Sequence, residues 1–323
     1  MNNWIAPETD LLPDFIIGGA MKSGTSTIHR ILDKHPKVFI PKKEIGFFDM
    51  DNILEHSDFN FFAENKWVSQ SMEQDPKIMW DWYFEKYKGK KAFLKGEDST
   101  TYLASKIAAK RISLQKKDIK LIFVLRQPSL RAYSNYHHLL RTGRATHSFE
   151  DTLRFNPFTV INRSLYKEQI ESFYKFIPKS RIKIIVFEDL ISNQEAVIKD
   201  LCKFLNLSFD ELPADVLNIH ANKASVPKSI RRQFQKNALL RSLANSKYAN
   251  DLPFKSLVEI KQRPFIVKAI NKIHAKINPK LAIKPPQIHP ETKKFLDAYF
   301  YNQLLGLDEL LEEEVLSKWF DKL

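Results

Sequence analysis

Ten residues restrict the fold of this chain more than any other stretch: Gly18-Gly19-Ala20-Met21-Lys22-Ser23-Gly24-Thr25-Ser26-Thr27. An apolar run, Phe15-Ile16-Ile17, precedes them and reads as a short buried strand closed by glycines. Ile28, Ile31, Leu32 and His35 follow at helical spacing, and Pro36 ends that helix. The whole chain holds eight glycines, and three of them fall between Gly18 and Gly24. A strand, a glycine-rich turn and a helix start form an anion cradle, because free backbone N–H groups and the helix dipole converge there. Lys22 adds a mobile positive charge, and Ser23, Thr25, Ser26 and Thr27 add hydroxyl donors around Gly24. The stretch predicts a phosphate site.

It is not the ATP-binding loop G-x-x-x-x-G-K-[ST], which places lysine after the last glycine and a hydroxyl on magnesium. Gly19 and Gly24 keep that separation, but Thr25 stands in the lysine position and Lys22 lies two residues before Gly24. Lys-Ser-Gly-Thr-Ser after a strand resembles instead the loop that holds the 5′-phosphosulfate in sulfotransferases using 3′-phosphoadenosine 5′-phosphosulfate (PAPS).

Charge narrows the partner. A net charge of +13 over 323 residues implies a polyanion: a nucleotide, a sulfated or phosphorylated substrate, a nucleic acid or an acidic membrane surface. The single cysteine, Cys202, excludes an internal disulfide. The N-terminal residues lack the basic and apolar regions of a signal peptide, and no run is long enough to span a membrane, so a cytoplasmic location is expected.

Along the chain, Val38-Phe39-Ile40 reads as a second strand, with Glu44 just past its end in Lys43-Glu44-Ile45-Gly46-Phe47-Phe48-Asp49. Ligands of open α/β sheets bind beyond such strand ends, so Glu44 and Lys22 are expected to face one another across one cleft. Residues 51 to about 90 are rich in aromatics, with a helix expected over Trp80–Tyr87. Ala92-Phe93-Leu94 leads to a strand end at Lys95-Gly96-Glu97-Asp98 and a polar turn. Leu121 to Leu125 is apolar throughout, as a central parallel strand should be. Arg126 leaves its tip, Pro128 opens the next helix, and Ser134 lies two turns along it; an arginine fork and a hydroxyl together grip a terminal phosphate. A basic loop near Arg144, an amphipathic helix over Tyr166–Phe176, a strand over Ile182–Phe187 and a helix over Ala196–Leu205 follow. This β-α alternation predicts an α/β, P-loop-like three-layer fold with a central parallel sheet flanked by helices.

From Pro213 to Pro286 the pattern weakens into a basic, helical region beginning at Asn222, which leaves open a nucleotide cap, an acceptor contact or a peripheral membrane contact through basic helices. Lys228 and Arg231 in it are spaced to share a helical face over the nucleotide. Pro290 to Leu305 reads as a last helix. One domain is expected over 1–323, with a nucleotide-binding core about 13–210, a basic helical cap about 213–288 and a C-terminal helix over 290–320.

Together these stretches resemble the PAPS-dependent carbohydrate sulfotransferases, especially the heparan sulfate type and its bacterial relatives. The resemblance rests on Gly-Gly-x-x-Lys22-Ser-Gly-Thr, on Leu-Arg126-Gln-Pro-x-x-Arg-Ala-Tyr-Ser134-x-Tyr, and on Lys-Glu44-Ile-Gly-Phe-Phe-Asp49. Gly96-Glu97-Asp98-Ser-Thr-Thr-Tyr102 and Asn162-Arg-Ser-Leu-Tyr166 also match. It implies that Lys22, Ser23, Gly24, Thr25, Ser26 and Thr27 hold the 5′-phosphosulfate and Arg126 with Ser134 the 3′-phosphate. It further implies Glu44 as general base with Lys22 stabilising the leaving group, acceptor contacts at Asp49, Glu97 and Tyr166, and no metal. His137, His138 and Glu97 are alternative bases. Where several relatives carry a lysine this chain has Asp98, which leaves the acceptor open: a carbohydrate or glycolipid hydroxyl or amine is expected. The competing readings are a nucleotide-dependent kinase, disfavoured by the lysine position and Arg126, and a basic nucleic-acid-binding protein, disfavoured by the paired phosphate motifs.

Overall fold

In the computed structural model, which describes residues 2–63, 65–69, 75–218, 225–249 and 264–320, five parallel strands form the central sheet. In chain order the strands are β1 (Phe15–Gly19), β2 (Val38–Phe39), β3 (Asn60–Ala63), β4 (Lys66–Ser69), β5 (Leu94–Asp98), β6 (Lys120–Leu125) and β7 (Ile182–Val186). The sheet order is β2-β5-β1-β6-β7, while β3 and β4 make a separate antiparallel hairpin. Between β5 and β6 the chain crosses from one side of β1 to the other. The tip of β1 is thus the switch point where an open parallel sheet offers its crevice to ligands.

The sheet is covered on both faces, and its side chains sort by the period of two. Phe15, Ile17, Ile122 and Val124 belong to one apolar cluster with Ile28, Ile31 and Leu32. Ile16, Leu121, Phe123 and Leu125 belong to the other, with Ala132, Tyr166, Ile170 and Phe173. All five residues from Leu121 to Leu125 are fully buried, each full side-chain burial contributing about 1.5–3 kcal/mol. Cys202 is buried in the cluster on the first face.

The expected strand–helix alternation holds in β1, β2, β6 and β7, but the helix expected to be the last runs Pro290–Leu304 and, after Gly306 with φ 83°, two short helices follow, Leu307–Leu311 and Leu316–Trp319. The aromatic segment differs. Its helix spans Pro76–Glu85, started by Pro76 and by Asp75, whose side chain accepts from the Lys77 amide at 2.8 Å. Trp80 and Tyr83 pack with Phe47, Phe48 and Tyr102 in the core, whereas Phe62 and Trp67 stay exposed on the hairpin. The basic region expected from Asn222 begins, and again passes through 250–263, outside the described residues. Its described part is two helices, Ile230–Ala249 and Pro264–Ile277, closed by a two-residue antiparallel pairing of Val226–Pro227 with Lys280–Leu281. Asn237 ties the first helix to the core by donating to the carbonyls of Leu140 at 2.9 Å and Ala145 at 2.7 Å.

The C-terminal helix braces the turn after β6. Asp297 accepts from Gln127 Nε2 at 2.7 Å and Ser129 Oγ at 2.5 Å, and pairs with Lys293. Gln127 in turn caps the helix Pro128–Thr142 by accepting from the Leu130 amide at 2.7 Å.

Candidate active site

The loop after β1 is held by its carbonyls. Arg126 Nη1 donates to the Lys22 carbonyl at 3.1 Å, and Arg131 Nη1 donates to that of Met21 at 3.4 Å. The helix Thr25–Leu32 then starts at Gly24 with no side-chain cap, which leaves first-turn N–H groups for a ligand. Glycine is required at 24: its φ is 97°, and a Cβ would stand 2.7 Å from Phe187 Cδ2. The same Phe187 ring lies 4.8 Å beneath the Arg126 guanidinium.

Cations converge on this loop. Lys22 has its pKa lowered by burial first and then by the charge of Arg141, with Arg126 and Arg131 adding to the effect and Glu44 opposing it. Arg126 Nε is buried without a hydrogen-bond partner among the described residues. Arg131 is fully buried, donating through Nε to Ser164 Oγ at 2.5 Å and through Nη2 to the Val160 carbonyl, and burial lowers its pKa to about 10. Arg163 reaches the loop as well, from a pair with Glu55 at 2.6 Å, through a contact of Nη1 with Met21 Sδ at 2.8 Å. Ser134 is half-buried on the helix that follows Arg126. Arg141 also lines a cavity of about 430 Å³ with Lys236, His274 and Lys280, between the end of that helix and the basic cap.

Glu44 lies near enough to Lys22 for its charge to act on that side chain. Glu44 is exposed as a residue, while its carboxylate is partly buried and accepts from Thr100 Oγ1 at 2.8 Å and the Thr100 amide at 3.4 Å. Burial first, and then the charge of Asp98, raise its pKa. Asp98 Oδ2 meets His29 Nδ1 at 2.8 Å. For His29, burial alone would lower the pKa; the Asp98 hydrogen bond and the charges of Asp98, Asp33 and Glu44 outweigh it and raise it. The cleft therefore has a cationic half around Lys22 and a half around Glu44 that holds carboxylates and a histidine.

Three residues expected to touch the acceptor lie deeper. Asp49 is fully buried and bonds through Oδ1 to His56 Nε2 at 2.7 Å. Glu97 is fully buried beneath Tyr83 and Tyr102, whose hydroxyls donate to it at 2.5 Å, with Ser99 Oγ at 2.7 Å. Tyr166 is fully buried and donates to the Arg126 carbonyl at 2.8 Å, so it supports the cationic half. Glu97 and Tyr166 have their polar groups bonded within the protein, whereas Asp49 Oδ2 is buried without a hydrogen-bond partner among the described residues. Lys228 and Arg231 are exposed, and they do not share a helical face, because Lys228 precedes the helix and its amide bonds the Pro279 carbonyl at 3.0 Å.

The two alternative histidines both have lowered pKa values. Burial, then Arg141, lowers His137 to about 4; burial, then Lys22 and the arginines 144, 141 and 163, lowers His138 to about 3. Arg131, Arg141, Arg163, His29 and Thr100 also lie about the cleft; Arg131, Arg163 and Thr100 fall within the quoted motifs, but spacing alone does not single them out. Among the described residues no group of three or more His, Cys, Asp or Glu side chains is arranged to hold a metal ion.

A family model for a sulfotransferase domain matches residues 12–285. Heparan sulfate glucosamine 3-O-sulfotransferase 5 of Mus musculus is 27% identical over 207 residues, covering 61% of this chain and 54% of that protein. Bifunctional heparan sulfate N-deacetylase/N-sulfotransferase 2 of Homo sapiens is 27% identical over 225 residues, covering 64% of this chain and 23% of that protein. The chain thus spans about half or less of the length of these relatives. The crystal structure of a sulfotransferase from Alicyclobacillus acidocaldarius superposes with a TM-score of 0.60 at 22% identity, over 95% of this chain and 98% of that one, a likeness of fold.

Proposed function

The chain belongs to the sulfotransferase domain family, and from that membership we propose that it moves a sulfuryl group from PAPS to a hydroxyl or amine of a carbohydrate or glycolipid acceptor, releasing 3′-phosphoadenosine 5′-phosphate (PAP). The observation that carries the proposal is the convergence of the charges of Arg126, Arg131, Arg141 and Glu44 on Lys22, in the glycine-rich loop after β1.

The residues fit the nucleotide. Lys22, Ser23, Gly24, Thr25, Ser26 and Thr27 with the first-turn amides take the 5′-phosphosulfate, and Arg126, whose Nε lacks a partner, takes the 3′-phosphate with Ser134. Glu44 accepts the proton of the acceptor O–H or N–H as that atom's lone pair bonds to sulfur. The bond from sulfur to the bridging oxygen breaks, and its electron pair stays on that oxygen. Lys22 and the loop amides offset the charge that builds there, the kind of electrostatic stabilisation that contributes most in such sites. His29 and Asp98 hold the Glu44 half of the cleft in place. The whole chain acts as one domain in this reading, and peripheral contact with a membrane through the basic helices is compatible with a lipid-borne acceptor.

The test is calorimetry with PAP together with transfer of labelled sulfate from PAPS to neutral, amino and lipid-linked saccharides. Micromolar PAP binding with transfer to any of them supports the proposal; no PAP binding at all defeats it.

A further inference from the structure

One-fifth of the chain carries nearly all of its net charge. Residues 225–284 hold fourteen Lys or Arg and two Asp or Glu, against +13 for the whole chain. Within this segment the helix Pro264–Ile277 contains no acidic residue and has three distinct faces. One is anchored: His274 is buried, and so is Asn278 just past the helix end, which accepts from the Ser229 amide at 2.7 Å and donates to the Ser229 carbonyl at 2.9 Å. A second carries Lys268, Lys272 and Lys276 at intervals of one turn. The third carries Ile266, Ile273 and Ile277, exposed by 46%, 61% and 52%. Spacings of seven and four put these three isoleucines in one row. Phe265 is 83% exposed at one end of the helix and Ile283 55% exposed just beyond the other. Arg232 closes the far end by donating to the Ile277 carbonyl at 2.7 Å, beside the exposed Lys280 and Lys284. Single exposed apolar residues are ordinary, but an aliphatic row beside a lysine row on an anchored helix needs a partner.

We propose that this helix lies flat on an anionic lipid surface, with the isoleucine row in the acyl boundary and the lysine row among the headgroups. Charge alone would equally suit a nucleic acid, but isoleucines have nothing to offer phosphates or base edges, whereas a lipid surface satisfies both rows at once. The helix is about 21 Å long at about 1.5 Å per residue, and no helix among the described residues is long and apolar enough to cross a membrane. It therefore rests in the plane of the interface. The inference stands independently of the catalytic reading.

Co-sedimentation of the full chain with vesicles tests it, using phosphatidylcholine alone and phosphatidylcholine mixed with phosphatidylglycerol. Partitioning should be at least about tenfold stronger on the anionic vesicles and should fall with added salt. The triple variant Ile266→Ser/Ile273→Ser/Ile277→Ser should lose that binding with its melting temperature and circular dichroism unchanged. Lys268→Glu/Lys272→Glu/Lys276→Glu should lose the preference for anionic lipid. Should the serine variant unfold, Ile273→Cys labelled with a polarity-sensitive dye reports insertion directly, since the native Cys202 is buried. Equal or absent binding to both vesicles, undiminished binding by the folded serine variant, or a dye that stays in water overturns the proposal. So does a stable dimer in sedimentation velocity that the serine variant dissociates, which would assign the row to a second copy.

Discussion

Arg126 Nη1 donates to the carbonyl of Lys22 at 3.1 Å, across 104 residues of sequence. The strand end expected to hold one phosphate of the donor thus fixes the loop expected to hold the other. Tyr166, bonded to the Arg126 carbonyl at 2.8 Å, and Phe187, under its guanidinium, complete the link between that strand end and the loop.

This link sets the expected outcome of Arg126→Ala. Losing charge-assisted hydrogen bonds to a 3′-phosphate should weaken PAP by about 30- to 100-fold. Adenosine 5′-phosphosulfate, which lacks that phosphate, should lose less than about tenfold, through the slackened loop alone. Titration calorimetry with both ligands decides it. Equal losses would remove Arg126 from the 3′-phosphate.

Arg131 is predicted to act on stability rather than on ligand contact. It is fully buried, and its partners Ser164 Oγ and the carbonyls of Val160 and Met21 have no water to turn to if it is removed. Arg131→Met keeps most of the volume and leaves those acceptors unpaired, at a cost of about 3–5 kcal/mol. Thermal denaturation should show a clear drop in melting temperature, with PAP affinity falling alongside because the loop carbonyl is freed. An unchanged melting temperature would show that the site relaxes around the loss.

The parts of the site legible in the sequence are those built from contiguous residues. The strand, the glycine turn around Lys22 and the helix start form one local unit, and so do β6, Arg126 and its helix, so spacing and propensity suffice to find them. Glu44 could be placed because it follows a strand end. What escaped the sequence is long-range, as where His29 and Asp98 meet across 69 residues, or turns on local backbone shape, as where Asp49 meets His56 beside Gly46, whose φ is 62°. The burial of Glu97 and Tyr166 has a long-range origin too, since both face inward from elements whose inward side depends on sheet order. The hairpin β3–β4 was missed because its aromatics alternate only briefly and are partly exposed.

Glu97 should leave a signature in stability against pH. Burial raises its pKa to about 7 in the folded chain, against 4.5 for an ordinary glutamate. Between those values the unfolded chain has released a proton that the folded chain still holds. Stability from this group is therefore full below pH 4.5 and falls as pH rises towards about 7, by up to about 3 kcal/mol. In Glu97→Gln that decline should disappear, so its melting temperature should fall less than that of the native chain between about pH 5 and about pH 8. Parallel curves for the two proteins would mean that the three hydroxyls around Glu97 keep its carboxylate ionised throughout.

The sharpest prediction concerns Glu44 and Asp98, whose carboxylates share one corner of the cleft. A general base works only when unprotonated, and burial together with the Asp98 charge raises the Glu44 pKa. The acid limb of kcat/KM should therefore lie above the ordinary carboxylate range. Glu44→Gln keeps shape and hydrogen bonding to Thr100 but cannot take a proton, so turnover should fall by about two to four orders of magnitude. PAP affinity should hold, or improve slightly as the cleft loses a negative charge. In Asp98→Asn the like charge is gone, so Glu44 should ionise more easily and the acid limb should move to lower pH. His29, deprived of its carboxylate, should at the same time lose the influence that raises its pKa. Two measurements check this: the pH dependence of sulfate transfer in the three proteins, and carbon-13 NMR of the Glu44 carboxyl in the native chain and Asp98→Asn. A limb that stays in place while the NMR titration moves would show that Glu44 is not the group whose ionisation limits the reaction. Near-normal turnover in Glu44→Gln would sink this assignment and send the search for the base to His137, His138 or Glu97.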